Sequence, residues 1–302
     1  VNLSLVICTY NRAKFIGACL EHIAKQTLDA SLFEVLIINN NSTDNTEAIC
    51  QKIIAEHSRI NIKLFFESNK GLSYARNRGI KESSTSIISY IDDDALANPN
   101  FLKEINDFFV NNPHAIGIGG MVEPYYIDAP KPKWMSKFLY GFVGDINLGN
   151  KIKKYSASMK YPIGCNMTYK KELLIKIGGF NNALTFRGDD KYVFHEIKKY
   201  SDEIYYLPTA KVKHVIDKER LTFDSFKKLF LKSGNESKVL LANQKLSGKY
   251  MFKLIEYFSK VGVAALIWIG YTLMLKEIKG RYVFYSQYFT LKGFLSDNVF
   301  VR

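Results

Sequence analysis

The segment SIISYIDDDA, residues 86–95, sets the reading of what lies on either side of it. From Ser86 to Ile91 it is a short apolar run. It then breaks into three consecutive carboxylates, Asp92, Asp93 and Asp94. An apolar run of this length bounded by polar residues marks a strand buried on both faces. The same form recurs upstream. Leu3 to Cys8 runs into Thr9-Tyr10-Asn11-Arg12, and Phe33 to Ile38 runs into Asn39-Asn40-Asn41-Ser42. Ile60 to Phe66 is a further strand. Between the runs the period changes to that of helices. Ala13 to Gln26 carries Phe15, Ile16, Cys19, Leu20 and Ile23 on one face, and Asn45 to His57 and Leu72 to Lys81 follow. Downstream, Pro99 to Val110 reads as a helix and Ile116 to Val122 as a closing strand. This alternation predicts an α/β fold, a Rossmann-like, mostly parallel sheet flanked by helices with right-handed crossovers. Such sheets bind ligands beyond the carboxyl ends of their strands, where the three polar clusters stand.

Length and composition agree with a packed domain. The 302 residues are 47% hydrophobic and 24% charged, which excludes an intrinsically disordered chain. Seven prolines and 19 glycines exclude collagen-like or proline-rich material. Cys8, Cys19, Cys50 and Cys165 show no paired spacing and read as reduced, mostly buried thiols. Val1 to Cys8 is too short for a secretory leader, so a cytoplasmic location is expected.

The net charge of +13 is concentrated late. Lys211 to Arg302 holds 17 Lys and Arg against 7 Asp and Glu, while the first 210 residues hold 25 against 22. Two parts follow: an α/β domain over 1–220 and a helical, basic C-terminal region over 221–302. A basic region points to an anionic surface, and no nucleic-acid-binding motif accompanies it. Val261 to Leu275 is an apolar stretch of 15 residues, short of the ~20 needed to span a bilayer. Phe223, Phe226 and Phe230 beside Lys227, Lys228 and Lys232 have the pattern of an interfacial helix. The same spacing suits a helix packed on the protein. The expectation is peripheral docking on the inner face of a membrane. Glu123 to Tyr161 loses all periodicity and is expected to be a functional loop or lid. Beyond it, Tyr161 to Tyr169 reads as a strand, and Lys170 to Ile177 and Asp189 to Tyr200 as helices. Ile204 to Leu207 and Ala210 to Val215 read as two short strands.

Five groups of residues could carry chemistry. Asp92-Asp93-Asp94 at a strand end suits a divalent cation, because adjacent carboxylates repel until a hard cation neutralises them. An acidic turn before the next helix is the plainer reading. Gly71 opens a helix whose N–H groups favour phosphate, with Arg76 one turn in. A solvent-facing arginine is the alternative. Gly188-Asp189-Asp190 opens another helix and could tune a general base, or serve only as a cap. His214, with Arg220 six residues on, suits a metal or phosphate contact, or a hydrogen-bonded core histidine. Gly164-Cys165-Asn166 could set a polar group near a sugar, although packing explains it equally.

Together, ICTYNR, NNNSTDNT, NKGLSYARNRG, YIDDDA, GCNMTYKKELLIKIGGF and RGDDK resemble family 2 inverting glycosyltransferases of the GT-A fold, in order and approximate spacing. The resemblance covers Leu3 to Arg220. It implies a nucleotide-sugar donor, with a UDP-sugar favoured, and a saccharide or lipid-linked acceptor. It also implies Mn2+ or Mg2+. Thr9, Asn11 and Arg12 match the first nucleotide-contacting loop. Asn39 and Asn40 stand where the family often has an acid beside the base, a departure in which an Asn carbonyl oxygen accepts the bond instead. Arg76 matches the arginine near base and phosphates. Asp92 and Asp94 match the outer acids of the DxD motif, with Asp93 between them and Asp94 the direct metal ligand. Asp190 matches the catalytic base and Asp189 its acidic neighbour. His214 resembles a histidine that approaches the metal or diphosphate.

Two other classes fit parts of the pattern. Sugar-1-phosphate nucleotidyltransferases share a parallel sheet and a metal-binding acid, but their first loop is glycine-rich and Thr9-Tyr10-Asn11-Arg12 holds no glycine. A carbohydrate- or partner-binding module on an inactive transferase fold would not need Asp92, Asp94 and Asp190 together.

Overall fold

The computed structural model describes residues 3–156, 160–184, 188–242 and 247–296. In chain order the elements are β1 (Leu3–Thr9), α1 (Ile16–Ala24), β2 (Phe33–Asn39), α2 (Thr46–Glu56), β3 (Ile62–Phe66), α3 (Leu72–Glu82), β4 (Ile87–Asp92), β5 (Ala95–Ala97) and α4 (Phe101–Asn111). There follow β6 (Gly117–Tyr126), β7 (Lys153–Lys154), β8 (Met167–Lys170), α5 (Lys171–Lys176), α6 (Asp189–Lys198) and β9 (Ile204–Ile216). Three helices end the chain: α7 (Phe223–Ala242), α8 (Ser247–Leu273) and α9 (Glu277–Leu295).

The first compact unit takes in the described residues of 1–124, 146–185 and 189–215. Its strands lie in one sheet in the order β3-β2-β1-β4-β8-β6-β9-β5, with β7 against β9. β3, β2, β1 and β4 are parallel, as the βα alternation predicts. β1 and β2 are buried along nearly their whole length because helices cover both faces. Helix α1 turns Ile16, Cys19, Leu20 and Ile23 inward at a 3-4 spacing. Beyond β4 the sheet changes sense. β8 runs antiparallel to both β4 and β6, so β6 points the same way as β4 but is separated from it by a reversed strand. The segments Ile204 to Leu207 and Ala210 to Val215 form one strand, β9, with Pro208 inside it.

Register explains why the polar clusters meet. Thr9 stands beside Asn39, and Cys8 beside Asp92, so the residues that end β1, β2 and β4 emerge at one edge. On the opposite edge a buried carboxylate ties the strand starts together. Glu34 accepts hydrogen bonds from the Ser4 hydroxyl at 2.7 Å and from the Ser84 N–H and hydroxyl, both at 2.8 Å. Lys63 lies 3.1 Å from its other oxygen.

The second unit takes in the described residues of 125–145, 186–188 and 216–302. Its centre is aromatic. Trp134 stacks on Tyr282 at 4.6 Å, and Phe226 meets Phe142 at 5.3 Å and Trp134 at 5.6 Å. Two expectations bear on this unit. Within the expected lid Trp134, Leu139, Phe142 and Val143 are buried, whereas Tyr125, Ile127 and Phe138 are exposed. Residues 157–159 of that stretch lie outside the described ones. Phe226 of α7 is fully buried, whereas Phe223 is 40% exposed, so the aromatic face of α7 is only partly core. The division also differs from a single break after 220: it follows Val215 and draws 125–145 to the C-terminal helices.

Burial opposes ionisation of Glu34, but the bonds from Ser84, Ser4 and Lys63 prevail and lower its pKa below the ordinary 4.5. Its contribution to stability is therefore present above that pH and fades as the pH falls through the lowered value. Glu34→Ala, which strands the serine donors, should cost about 2–3 kcal/mol by urea unfolding at neutral pH. The gap from wild type should narrow in acid.

Candidate active site

Helix α3 sets the centre of the site. Gly79 lets it lie directly on β1, since a Cβ there would come 2.5 Å from Val6 Cγ1. This close approach carries Arg76, one turn earlier, into the interior, where it is 3% exposed. The Tyr90 hydroxyl donates to the Arg76 carbonyl at 3.2 Å, and the guanidinium lies 5.5 Å from the centre of the Phe180 ring.

The guanidinium joins two acidic clusters that are distant in sequence. Its Nη1 makes a short ion pair with Asp189, and its Nη2 lies 3.4 Å from Asp92. Burial opposes the charge on Arg76, but Asp189 and Asp92 outweigh it and raise its pKa. Arg76 thus faces the acids. It bridges the two acidic clusters.

Asp190, next along α6, accepts hydrogen bonds from the Gly164 N–H at 3.0 Å and the Lys191 N–H at 2.7 Å. Burial and the neighbouring Asp189 push its pKa up to about 6, against the pull of Arg76 and of the two N–H groups. Gly164 is also a close approach. A Cβ at this position would meet Arg76 Nη2 at 2.1 Å.

On the β4 side the three aspartates divide. Asp93 is buried and turns to Arg12, whose Nε lies 3.4 Å away. Burial pushes its pKa up to about 8, Arg12 opposing and Asp94 adding to the rise. Asp94 lies 3.2 Å from Arg12 Nη2 and, through its other oxygen, 3.2 Å from His214 Nε2. His214 arrives on β9, which pairs antiparallel with β5 so that Ala95 opposes His214. The Val215 N–H donates to the Asp94 carbonyl at 2.8 Å. Asp92, Asp94 and His214 each offer a ligand atom, all within 4.8 Å of one another. Two carboxylates and one imidazole are a donor set that fits Mn2+ or Mg2+, with Mn2+ the better match to the nitrogen.

The first two loops are stapled together. Asn11 takes a left-handed backbone at φ 53, and its carbonyl oxygen accepts from the Thr43 N–H at 2.7 Å. Asn40 spends its amide on the Glu67 and Asn69 carbonyls, and its oxygen accepts from the Gly71 N–H. Asn39 accepts from the Ser42 N–H and donates to Glu47 at 2.9 Å. A carboxylate, that of Glu47 on α2, thus lies beside Asn39. Thr9 is buried at the end of β1.

A family model described as glycosyl transferase family 2 matches residues 4–178. The chain belongs to this family. A curated relative, the glucosyl-dolichyl phosphate glucuronosyltransferase of Haloferax volcanii, is 26% identical over 235 residues, covering 74% of this chain and 72% of its own. Most of the other curated relatives are matched over less than two thirds of their length. Among solved structures, the mannosyltransferase PcManGT from Pyrobaculum calidifontis, in complex with GDP-Man and Mn2+, aligns over 94% of this chain and 85% of its own. Its TM-score is 0.63 at 16% identity. TarS 1-349 of S. aureus, in complex with UDP, aligns over 95% and 91% with a TM-score of 0.57 at 16% identity. The fold is GT-A, a mixed sheet with flanking helices and a helical C-terminal part.

Among these family 2 residues, Asp92, Asp94, His214, Arg12, Arg76, Asp189 and Asp190 form one charged network in the first unit. Asn40 belongs instead to the scaffold of the loop over residues 67–71. Sequence reasoning gave Gly164 no part in this network. Its signal was only a glycine before Cys165-Asn166, and nothing local reveals that Arg76 would lie against it. Gly164→Ala keeps the N–H bond to Asp190 but forces Arg76 to move. A loss of ~1–3 kcal/mol is expected, together with a fall in turnover. Thermal unfolding and a transfer assay check both, and wild-type values in both would show that Arg76 yields freely.

Proposed function

We propose that the chain is an inverting glycosyltransferase moving a sugar from a nucleoside-diphosphate donor to a hydroxyl of a saccharide or lipid-linked acceptor. The observation that carries this reading is the Arg76 bridge, which holds the Asp189–Asp190 pair against the Asp92–Asp94–His214 group. One cluster suits a diphosphate with its cation, and the other suits an incoming alcohol.

Asp190 takes the proton of the acceptor hydroxyl as its oxygen bonds to the anomeric carbon. The bond from that carbon to the diphosphate oxygen breaks on the opposite side, and the nucleoside diphosphate leaves with the electron pair. A pKa of about 6 leaves Asp190 ionised at neutral pH yet basic enough to accept a proton. The Gly164 and Lys191 N–H groups fix its carboxylate, and Arg76 fixes Asp189 beside it. Arg12, the more exposed of the two arginines, lies where it can meet a donor phosphate. Asp92, Asp94 and His214 would hold Mn2+ or Mg2+, which would supply charge neutralisation for a diphosphate. Thr9, Asn11 and Asn39 border the same edge and suit the nucleoside, with a UDP-sugar favoured. A lipid-linked acceptor draws support from the name of the Haloferax volcanii relative. GDP-Man and Mn2+ in PcManGT, and UDP in TarS, support the donor class.

Asp190→Asn should lower transfer by ~10²–10⁴-fold while donor affinity stays near wild type. In the wild type the rate should fall as the pH drops below about 6, because protonated Asp190 accepts nothing. Equal turnover in the variant, with a flat acid limb, rejects the assignment. Mn2+ should raise the melting temperature in the presence of UDP or GDP, and Asp94→Ala should remove the metal-dependent part. An unchanged Mn2+ titration in that variant would exclude Asp94 as a ligand.

A further inference from the structure

Helix α8 is apolar on both sides. Its inner side carries Tyr257 and Ala264, both buried, and Tyr257 meets Phe294 of α9 at 5.1 Å. Its outer side carries Met251, Phe252, Ile255, Phe258, Leu266 and Ile269, each more than half exposed. Their spacing keeps them on one stripe along most of the helix. A helix packed on protein by one side ordinarily turns a polar side to water. This one does not.

The end of α8 extends the pattern. Leu273, Met274 and Leu275 follow one another around the turn at 82%, 65% and 95% exposure. Leu275 has φ 55, the left-handed conformation that helix ends usually give to glycine. The Lys276 N–H closes the turn on the Tyr271 carbonyl at 2.8 Å. A large apolar side chain therefore occupies a position where backbone geometry favours none, and it points away from the protein.

The surrounding charge selects the occupant. Between residues 247 and 296, seven lysines and arginines stand against Glu256 and Glu277. Both glutamates are held within their own helices, Glu256 by Lys253 and Lys260, and Glu277 by Arg281. We infer that the outer side of α8 and the turn Leu273–Leu275 dock on an anionic lipid bilayer, with the helix lying along the surface. No helix among the described residues is long and apolar enough to cross a membrane. Apolar side chains enter the headgroup boundary while lysines reach lipid phosphates with their stems alongside. A second copy of the chain would bring two basic surfaces face to face, which like charges disfavour. Anionic lipid attracts each of those lysines. The surface serves a lipid-linked acceptor but does not rest on the transfer reading.

The test is co-sedimentation of the full chain, without donor or acceptor, with vesicles of phosphatidylcholine plus phosphatidylserine and of phosphatidylcholine alone. Binding to the mixed vesicles is expected, weakening as salt is raised. The triple variant Phe252→Ser, Leu266→Ser, Leu273→Ser should bind about tenfold or more weakly with an unchanged melting temperature. Lys276→Glu with Lys279→Glu should reduce the preference for phosphatidylserine. Equal binding by wild type and triple variant overturns the proposal. So does an absence of vesicle binding, and a wild-type dimer that the triple variant dissolves assigns the surface to a second copy.

Discussion

A buried guanidinium keeps its charge and must be met by carboxylates or destabilise the fold, and this requirement organises the first unit. Arg76 is met from two directions, by Asp92 at the end of β4 and by Asp189 at the start of α6. Two segments far apart in the chain are thereby fixed to one point. Glycines at 79 and 164 make the arrangement sterically possible, the first by seating α3 on β1 and the second by clearing the space that Nη2 fills. The electrostatic consequence extends beyond the bridge. Five aspartates crowd around two arginines and a histidine, and burial with mutual repulsion raises the pKa of Asp92, Asp93 and Asp190. An additional cation and a proton-accepting carboxylate are what such a field favours.

The second unit follows a different physical logic. Its interior is held by aromatic packing around Trp134, Phe142, Phe226 and Tyr282, edge-to-face contacts with one stacked pair. The outer side of α8 has the same apolar character without a protein layer over it. Core and docking surface are thus made from similar residues, and only burial tells them apart.

Much of the first unit was legible because its strands are buried on both faces. Leu3 to Cys8, Phe33 to Ile38 and Ser86 to Ile91 are apolar runs with abrupt polar ends, and the polar ends fall at the ligand edge by topology alone. Helices between them announced parallel pairing. The turn of the sheet at β8 was not legible, since strand direction there depends on where a long irregular segment returns. Phe223, Phe226 and Phe230 show the limit of periodicity. A helix buried in an aromatic core and a helix lying on lipid repeat at the same interval. Pro124, Pro130 and Pro132 suggested a loop, yet Trp134 and Phe142 beyond them are drawn into a core.

The linear order of residues was enough to specify the α/β class and the family likeness, and to single out acids and basic groups that the fold brings together, because those follow from short-range pattern and residue type. It could not specify partners. That Arg76 turns from solvent to Asp189 and Asp92, that Asn40 hydrogen-bonds within a loop, that Gly164 must lack a side chain, and that α8 leaves an apolar side open were settled by packing. Each depends on which surfaces meet across long separations in the chain, and steric exclusion and charge pairing act on that proximity alone.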